Sequence, residues 1–103
     1  MKKPVRMTRQ AQKVLFLLLR SPRDELSGVE IAEETELASG SLYPLLYRLE
    51  GARLLLARWE EQNPSDLGRP RRRYYRLTPE GVALARKELK QIASLAGVLA
   101  WNS

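Results

Sequence analysis

Two stretches concentrate the polar chemistry of this chain. The first, "SGSLYPLLYRLE", sets Ser39, Ser41, Tyr43, Pro44, Tyr47 and Arg48 among leucines. The second, "LGRPRRR", crowds Arg69, Arg71, Arg72 and Arg73 together. Hydroxyls and guanidiniums donate hydrogen bonds to phosphates and base edges. They are poor material for acid–base catalysis, and the chain has neither His nor Cys, which removes the commonest general base, the commonest metal ligand and every thiolate. Glu60 and Glu61 adjoin Trp59, and Asp66 lies nearby, but no acid/base pair, metal-ligand spacing or glycine-rich phosphate loop emerges. The expectation is a non-enzyme with no catalytic residue, cofactor or metal.

The elements that must position these residues follow from periodicity and turn signals. Thr8 caps a helix over residues 9–20, whose Ala11, Val14, Leu15, Leu18 and Leu19 recur at three and four. Ser27 and Glu30 have the capping-box form and open a short acidic helix ending near Thr35. After a turn at 36–38 a third helix begins, capped by a serine or Gly40, with Pro44 near its first turn, where a missing N–H matters least. On a helical wheel Leu42, Leu45, Leu46 and Leu49 share one face. Gly40, Tyr43, Pro44 and Tyr47 lie opposite, flanked by Ser41 and Arg48. Strands are expected over 54–62, with Leu55, Ala57 and Trp59 on one face, and over 71–77, with Tyr75 and Leu77 inward. "QNPSDLGRP" is the loop between them. Thr78 caps and Pro79 starts a long final helix, with Val82, Ala85, Leu89, Ile92, Ala96 and Leu99 in register.

Composition bounds the partners. A 103-residue chain supports a single modest core. Its longest apolar run, Val14 to Leu19, is far short of a membrane span, and no signal-peptide pattern opens the chain, so a cytoplasmic protein without membrane contact is expected. The net charge of +6 is segregated. Lys2, Lys3, Arg6, Arg9 and Lys13 crowd the N-terminus and the arginines crowd residues 69–76, while carboxylates gather between Asp24 and Glu36. A charged face of this kind suits a polyanion.

Two short helices joined by a tight turn, the second bearing outward hydroxyls and an arginine, match a helix-turn-helix. The same helix alone fits an ordinary core helix with a solvated back. The arginine run alone fits equally a strand edge kept from aggregating by charge. Taken in this order, recognition helix then basic hairpin, they describe a winged helix that binds double-stranded DNA. The other reading is a winged-helix module docking an acidic protein through the same face.

"GSLYPLLYRLE", a leucine-rich strand ending in "RWEE", and "GRPRRRYYRLTPEG" resemble the PadR family of bacterial winged-helix transcriptional regulators over about Val14 to Leu89. The resemblance implies a mainly α fold with a small β-hairpin and a long C-terminal dimerisation helix. Residues 1–78 would form the winged helix-turn-helix domain with its basic arm, Lys2, Lys3 and Arg6, and residues 79–103 the dimerisation helix. It implies a homodimeric, repressor-like DNA-binding protein that occupies a pseudo-palindromic promoter site. The recognition helix would supply Ser39, Ser41, Tyr43, Pro44, Tyr47 and Arg48, and the wing Arg69, Arg71, Arg72 and Arg73. Two departures stand out: family members usually carry glycine near position 53, where this chain has Arg53, and the turn at 35–38 lacks glycine. Either the helix exit is displaced or Arg53 is left-handed.

Apolar surplus off the core stripes also points to a second copy. Phe16 and Leu17 on the first helix, and Leu84, Leu95 and Val98 on the last, exceed what one small body covers. The dimerisation set is Phe16, Leu17, Val82, Ala85, Leu89, Ile92, Ala96 and Leu99. Trp101 either helps form a small-molecule effector pocket between subunits, as the resemblance implies, or caps hydrophobic packing at the tail.

Overall fold

The computed structural model describes the backbone of residues 5–101 and the side chains of residues 5–97. Its elements are α1 (Arg9–Leu19), β1 (Leu26–Ser27), α2 (Gly28–Thr35), α3 (Ser39–Gly51), β2 (Leu55–Trp59), α4 (Pro64–Leu67), β3 (Arg73–Leu77) and α5 (Pro79–Trp101). The architecture is mostly helical, with a three-stranded antiparallel sheet ordered β1-β3-β2.

The core lies where α1, α2, α3 and the sheet converge. Ala11, Val14 and Leu15 of α1, Ile31 of α2, and Leu42, Leu46 and Leu49 of α3 are all 0% exposed. The helical spacing anticipated for α3 is therefore its packing face. Capping fixes where helices begin. Thr8 Oγ accepts from Ala11 N at 3.1 Å, and Ser27 and Glu30 form the reciprocal capping box. Thr78 Oγ1 accepts from Gly81 N at 2.9 Å and donates to the Arg53 carbonyl at 2.7 Å. One threonine thus caps α5 and ties it to the exit of α3. Gly81 is required there, because a Cβ would run into the Leu54 carbonyl.

Two short elements, β1 and α4, were not anticipated from the sequence. Leu26 and Ser27 pair with Tyr75 and Tyr74, and this strand is too short to show an alternating pattern. Residues Pro64–Leu67 form one helical turn with Pro64 at its start and left-handed Gly68 at its end. The hairpin strands are shorter than expected, Leu55–Trp59 and Arg73–Leu77, because beyond the Glu60 N–H bond to the Arg72 carbonyl the chain leaves the ladder to build the wing tip. Tyr75 and Leu77 do face inward, whereas Trp59, which shares a face with buried Leu55 by alternation, is 57% exposed since the core ends before it. Pro44 lies in the interior of α3 rather than its first turn, because the helix starts at Ser39 from an Ala38 cap that has no capping side chain. Pro44 has no N–H to give the Gly40 carbonyl, and as both residues are exposed, that carbonyl is open to solvent. Left-handed geometry falls on Glu36 (φ 60°), which ends α2, and on Arg53 (φ 62°). Helix α3 does not exit early; Arg53 takes the conformation that glycine would adopt without strain.

Helix α5 packs on α1 and β3 through its first turns only. Ala85 is fully buried in the core of this chain, so it is not a surface residue. From Leu89 through Gly97 every side chain is exposed, including Leu89, Ile92 and Leu95. The helix projects as an arm, and the molecule measures 59 × 31 × 25 Å.

Candidate nucleic-acid interface

Helix α3 meets α2 across the turn at residues 36–38. Thr35 Oγ1 donates to the Ile31 carbonyl at 2.6 Å and accepts from Leu37 N at 3.4 Å, while left-handed Glu36 redirects the chain. The result holds α3 by its leucines and turns Ser39, Gly40, Ser41, Tyr43, Pro44, Tyr47 and Arg48 to solvent. Tyr47 is 79% exposed, against 42% for Tyr43. The uncapped N-terminus leaves its first N–H groups open, which favours an anion there. Tyr43 is steadied by Gly28, whose missing Cβ makes room for the ring; an added Cβ would lie 2.7 Å from Tyr43 Cε1.

The wing stands beside this face. A cleft of about 460 Å³ is bounded by Gly28 and Val29 of α2, Tyr43 of α3, Trp59 of β2, and Arg69 through Arg73. Of the residues singled out in the recognition helix, Tyr43 borders this cleft together with the four wing arginines, and the others lie exposed along α3.

The wing, expected over residues 60–73, is held by carboxylates to which sequence reasoning gave no clamping role. Glu60 accepts from Arg69 through both oxygens, at 2.7 and 3.1 Å, and from Arg72 N at 2.8 Å. The Arg69 hydrogen bonds first, and the Arg72 N–H second, hold the Glu60 carboxyl at about 2, well below the ordinary 4.5. Arg71 donates to the Gln62 carbonyl at 2.9 Å and to Asn63 Oδ1 at 3.3 Å. Arg73 donates to Glu50 of α3 at 2.9 Å and stacks on Trp59, 5.1 Å from the ring centre. Farther back, Arg58 pairs with Glu25 at 2.7 Å and covers Tyr74. The only warning in the sequence is the excess of arginine over acid at the hairpin, which makes nearby Glu50 and Glu60 natural partners.

Other expected residues lie elsewhere. Arg6 is exposed near the start of α1, and Lys2 and Lys3 fall outside the described residues. Phe16, Leu17 and Val82 are partly buried. Leu89, Ile92 and Ala96 lie exposed on the α5 arm, and the side chains of Leu99 and Trp101 are outside the described set. Among the described residues there is no group of three carboxylates suited to a metal ion, and no helix is long and apolar enough to cross a membrane.

The family described as "Transcriptional regulator PadR-like family" matches residues 23–87, which run from before β1 into α5 and include the helix pair and the whole wing. This chain belongs to the PadR-like family of transcriptional regulators. As a PadR-like protein it also shares the winged-helix fold of solved regulators. MepR, a transcription regulator of the Staphylococcus aureus multidrug efflux pump MepA, superposes with a TM-score of 0.78 at 21% identity, over 94% of this chain and 66% of that one. PcaV from Streptomyces coelicolor, solved with its natural ligand, gives 0.75 at 24% identity, over 94% and 63%. A MepR point mutant of S. aureus bound to an oligodeoxyribonucleotide gives 0.73 at 20% identity, over 94% and 66%. The chain thus spans slightly less than two thirds of these neighbours, and at such identity the likeness establishes the fold. No curated protein matches the sequence.

Proposed function

We propose that this PadR-like regulator is a cytoplasmic, sequence-specific reader of double-stranded DNA that acts as a homodimeric repressor by occupying a pseudo-palindromic promoter site. The observation carrying this reading is the cleft at which Tyr43, on the exposed face of α3, meets the arginine-bearing wing. In that reading α3 enters the major groove, Ser39, Ser41, Tyr43, Pro44, Tyr47 and Arg48 address phosphates and base edges, and the basic wing follows the backbone. Residues 1–78 supply the DNA-binding part, with Lys2, Lys3 and Arg6 as its arm. A MepR variant carrying an oligodeoxyribonucleotide on the same fold supports the reading.

Residues 79–103 supply the dimer. The uncovered Leu89, Ile92 and Leu95 on a projecting helix favour a second copy as their cover, since a helix with an exposed apolar stripe gains by burying it. A two-fold pair would set two recognition helices about 34 Å apart along one duplex face. A small-molecule effector between subunits, near Trp101, would relieve repression.

Arg48 tests the reading at one side chain. Replacing Arg48 by Ala should reduce the preference for operator over scrambled duplex by about 1–3 kcal/mol, as expected for one lost base contact, with little change in non-specific affinity. Competition anisotropy measures both quantities. An unchanged preference would remove Arg48 from base readout.

A further inference from the structure

The four arginines of the wing differ in what their guanidiniums have left to give. Arg69 commits both terminal nitrogens to Glu60, so that its charge is neutralised where it stands. Arg73 is paired with Glu50 and stacked on Trp59. Arg71 keeps its net charge, but Nε and Nη2 are occupied by Gln62 and Asn63. Arg72 differs from all three. Its backbone N–H is fixed by Glu60, while its guanidinium makes no hydrogen bond, ion pair or ring stack among the described residues, and it lines the cleft beside Tyr43.

We infer that Arg72 is the phosphate-gripping residue of the wing and that Glu60 is the positioning residue that presents it. This rests on the DNA-binding reading above and divides labour within it. A phosphate contact releases counterions in proportion to the net positive charge that the protein brings. A bidentate Arg69–Glu60 pair brings none, and recruiting Arg69 to DNA would first require breaking two charge-assisted hydrogen bonds. Arg72 brings a full charge and unused donors. Glu60 meanwhile joins the end of β2 to Arg69 and Arg72 across the tip, so the loop is ordered before DNA arrives and little ordering entropy is lost on binding. The arginine run is thus mostly scaffold around one contact residue.

The test uses the full-length protein and a duplex carrying its upstream sequence, with affinity measured from about 50 to 200 mM salt. Arg72→Ala should flatten the slope of log affinity against log salt by about 0.9 for each Arg72 on the duplex, and Arg72→Lys should restore the parental slope. Arg71→Ala, which removes a guanidinium already engaged by Gln62 and Asn63, should change the slope less than Arg72→Ala does. In the free protein, Glu60→Ala should speed hydrogen exchange at the Arg72 amide while amides of α1 stay protected. That readout separates wing ordering from global unfolding. A slope unmoved by Arg72→Ala, or lowered equally by Arg71→Ala, would overturn the inference while leaving DNA binding intact. Unchanged Arg72 exchange in Glu60→Ala would overturn the positioning role. A parental protein without salt-dependent affinity for any duplex would overturn both the inference and the reading beneath it.

Discussion

Helix α3 and the wing present the same surface but are held by opposite means. The helix is anchored from behind by leucines that are almost completely buried, and its outward side chains have few protein partners. In the wing, α4 has no buried residue, and the loop is kept in shape by Glu60, by Arg71 on Gln62 and Asn63, and by Arg73 on Glu50. An apolar anchor leaves the polar face of a helix open to a partner. A polar clamp engages charges that would otherwise be open to one. The difference teaches that counting arginines overstates how many wing guanidiniums remain uncommitted, whereas the exposed side chains of α3 are mostly uncommitted.

The comparison is broken most forcefully from the apolar side. Leu46→Ala should cost about 3 kcal/mol of stability, the usual penalty for emptying a fully buried leucine site, measured by urea unfolding. Arg72→Ala, which removes a guanidinium with no partner among the described residues, should stay within about 0.5 kcal/mol of the parent in the same assay. A small loss for Leu46→Ala would mean that α3 is not held by its leucines.

A smaller effect lies at the junction of the two regions. Arg53→Gly should stabilise the protein by about 1 kcal/mol, because Arg53 occupies a left-handed conformation that costs a side-chain-bearing residue roughly that much. Its Thr78 hydrogen bond is accepted by the backbone and survives the change. Thermal unfolding would report it.

The smallest effect is confined to the wing and appears only in acid. Since the folded Glu60 carboxyl lies at about 2, below its ordinary 4.5, its contribution is complete above that ordinary value and fades as pH falls toward 2. The Arg72 amide resonance should therefore titrate with a midpoint near 2, while amides of α3 facing the leucine core do not follow it. A midpoint near the ordinary value would mean that the Glu60 clamp is absent in solution.

What was legible in the sequence follows the same division. Leucines at helical spacing, Thr8, the Ser27–Glu30 box and Thr78 act over a few residues, and each works where local chemistry places it. The winged-helix order and the exposed face of α3 could therefore be read directly. The clamps could not, because Glu60 meets Arg72 across the hairpin and Arg73 meets Glu50 across 23 positions. Strand β1 exists only because β3 offers it an edge, and Trp59 is exposed only because the core stops at Ala57. Arg53 lay between: its left-handed turn was signalled by the absence of glycine, and the choice between that turn and a shifted helix end required the backbone.

The central claim is that one surface reads DNA sequence. The most direct measurement is fluorescence anisotropy of the full-length protein with its own upstream duplex and with a scrambled duplex, each near 50 and 200 mM salt. The account predicts tighter binding to the native duplex and a preference over the scrambled one that persists as salt rises. Equal binding to both, lost together at the higher salt, would contradict it and leave only electrostatic attraction between a basic protein and a polyanion.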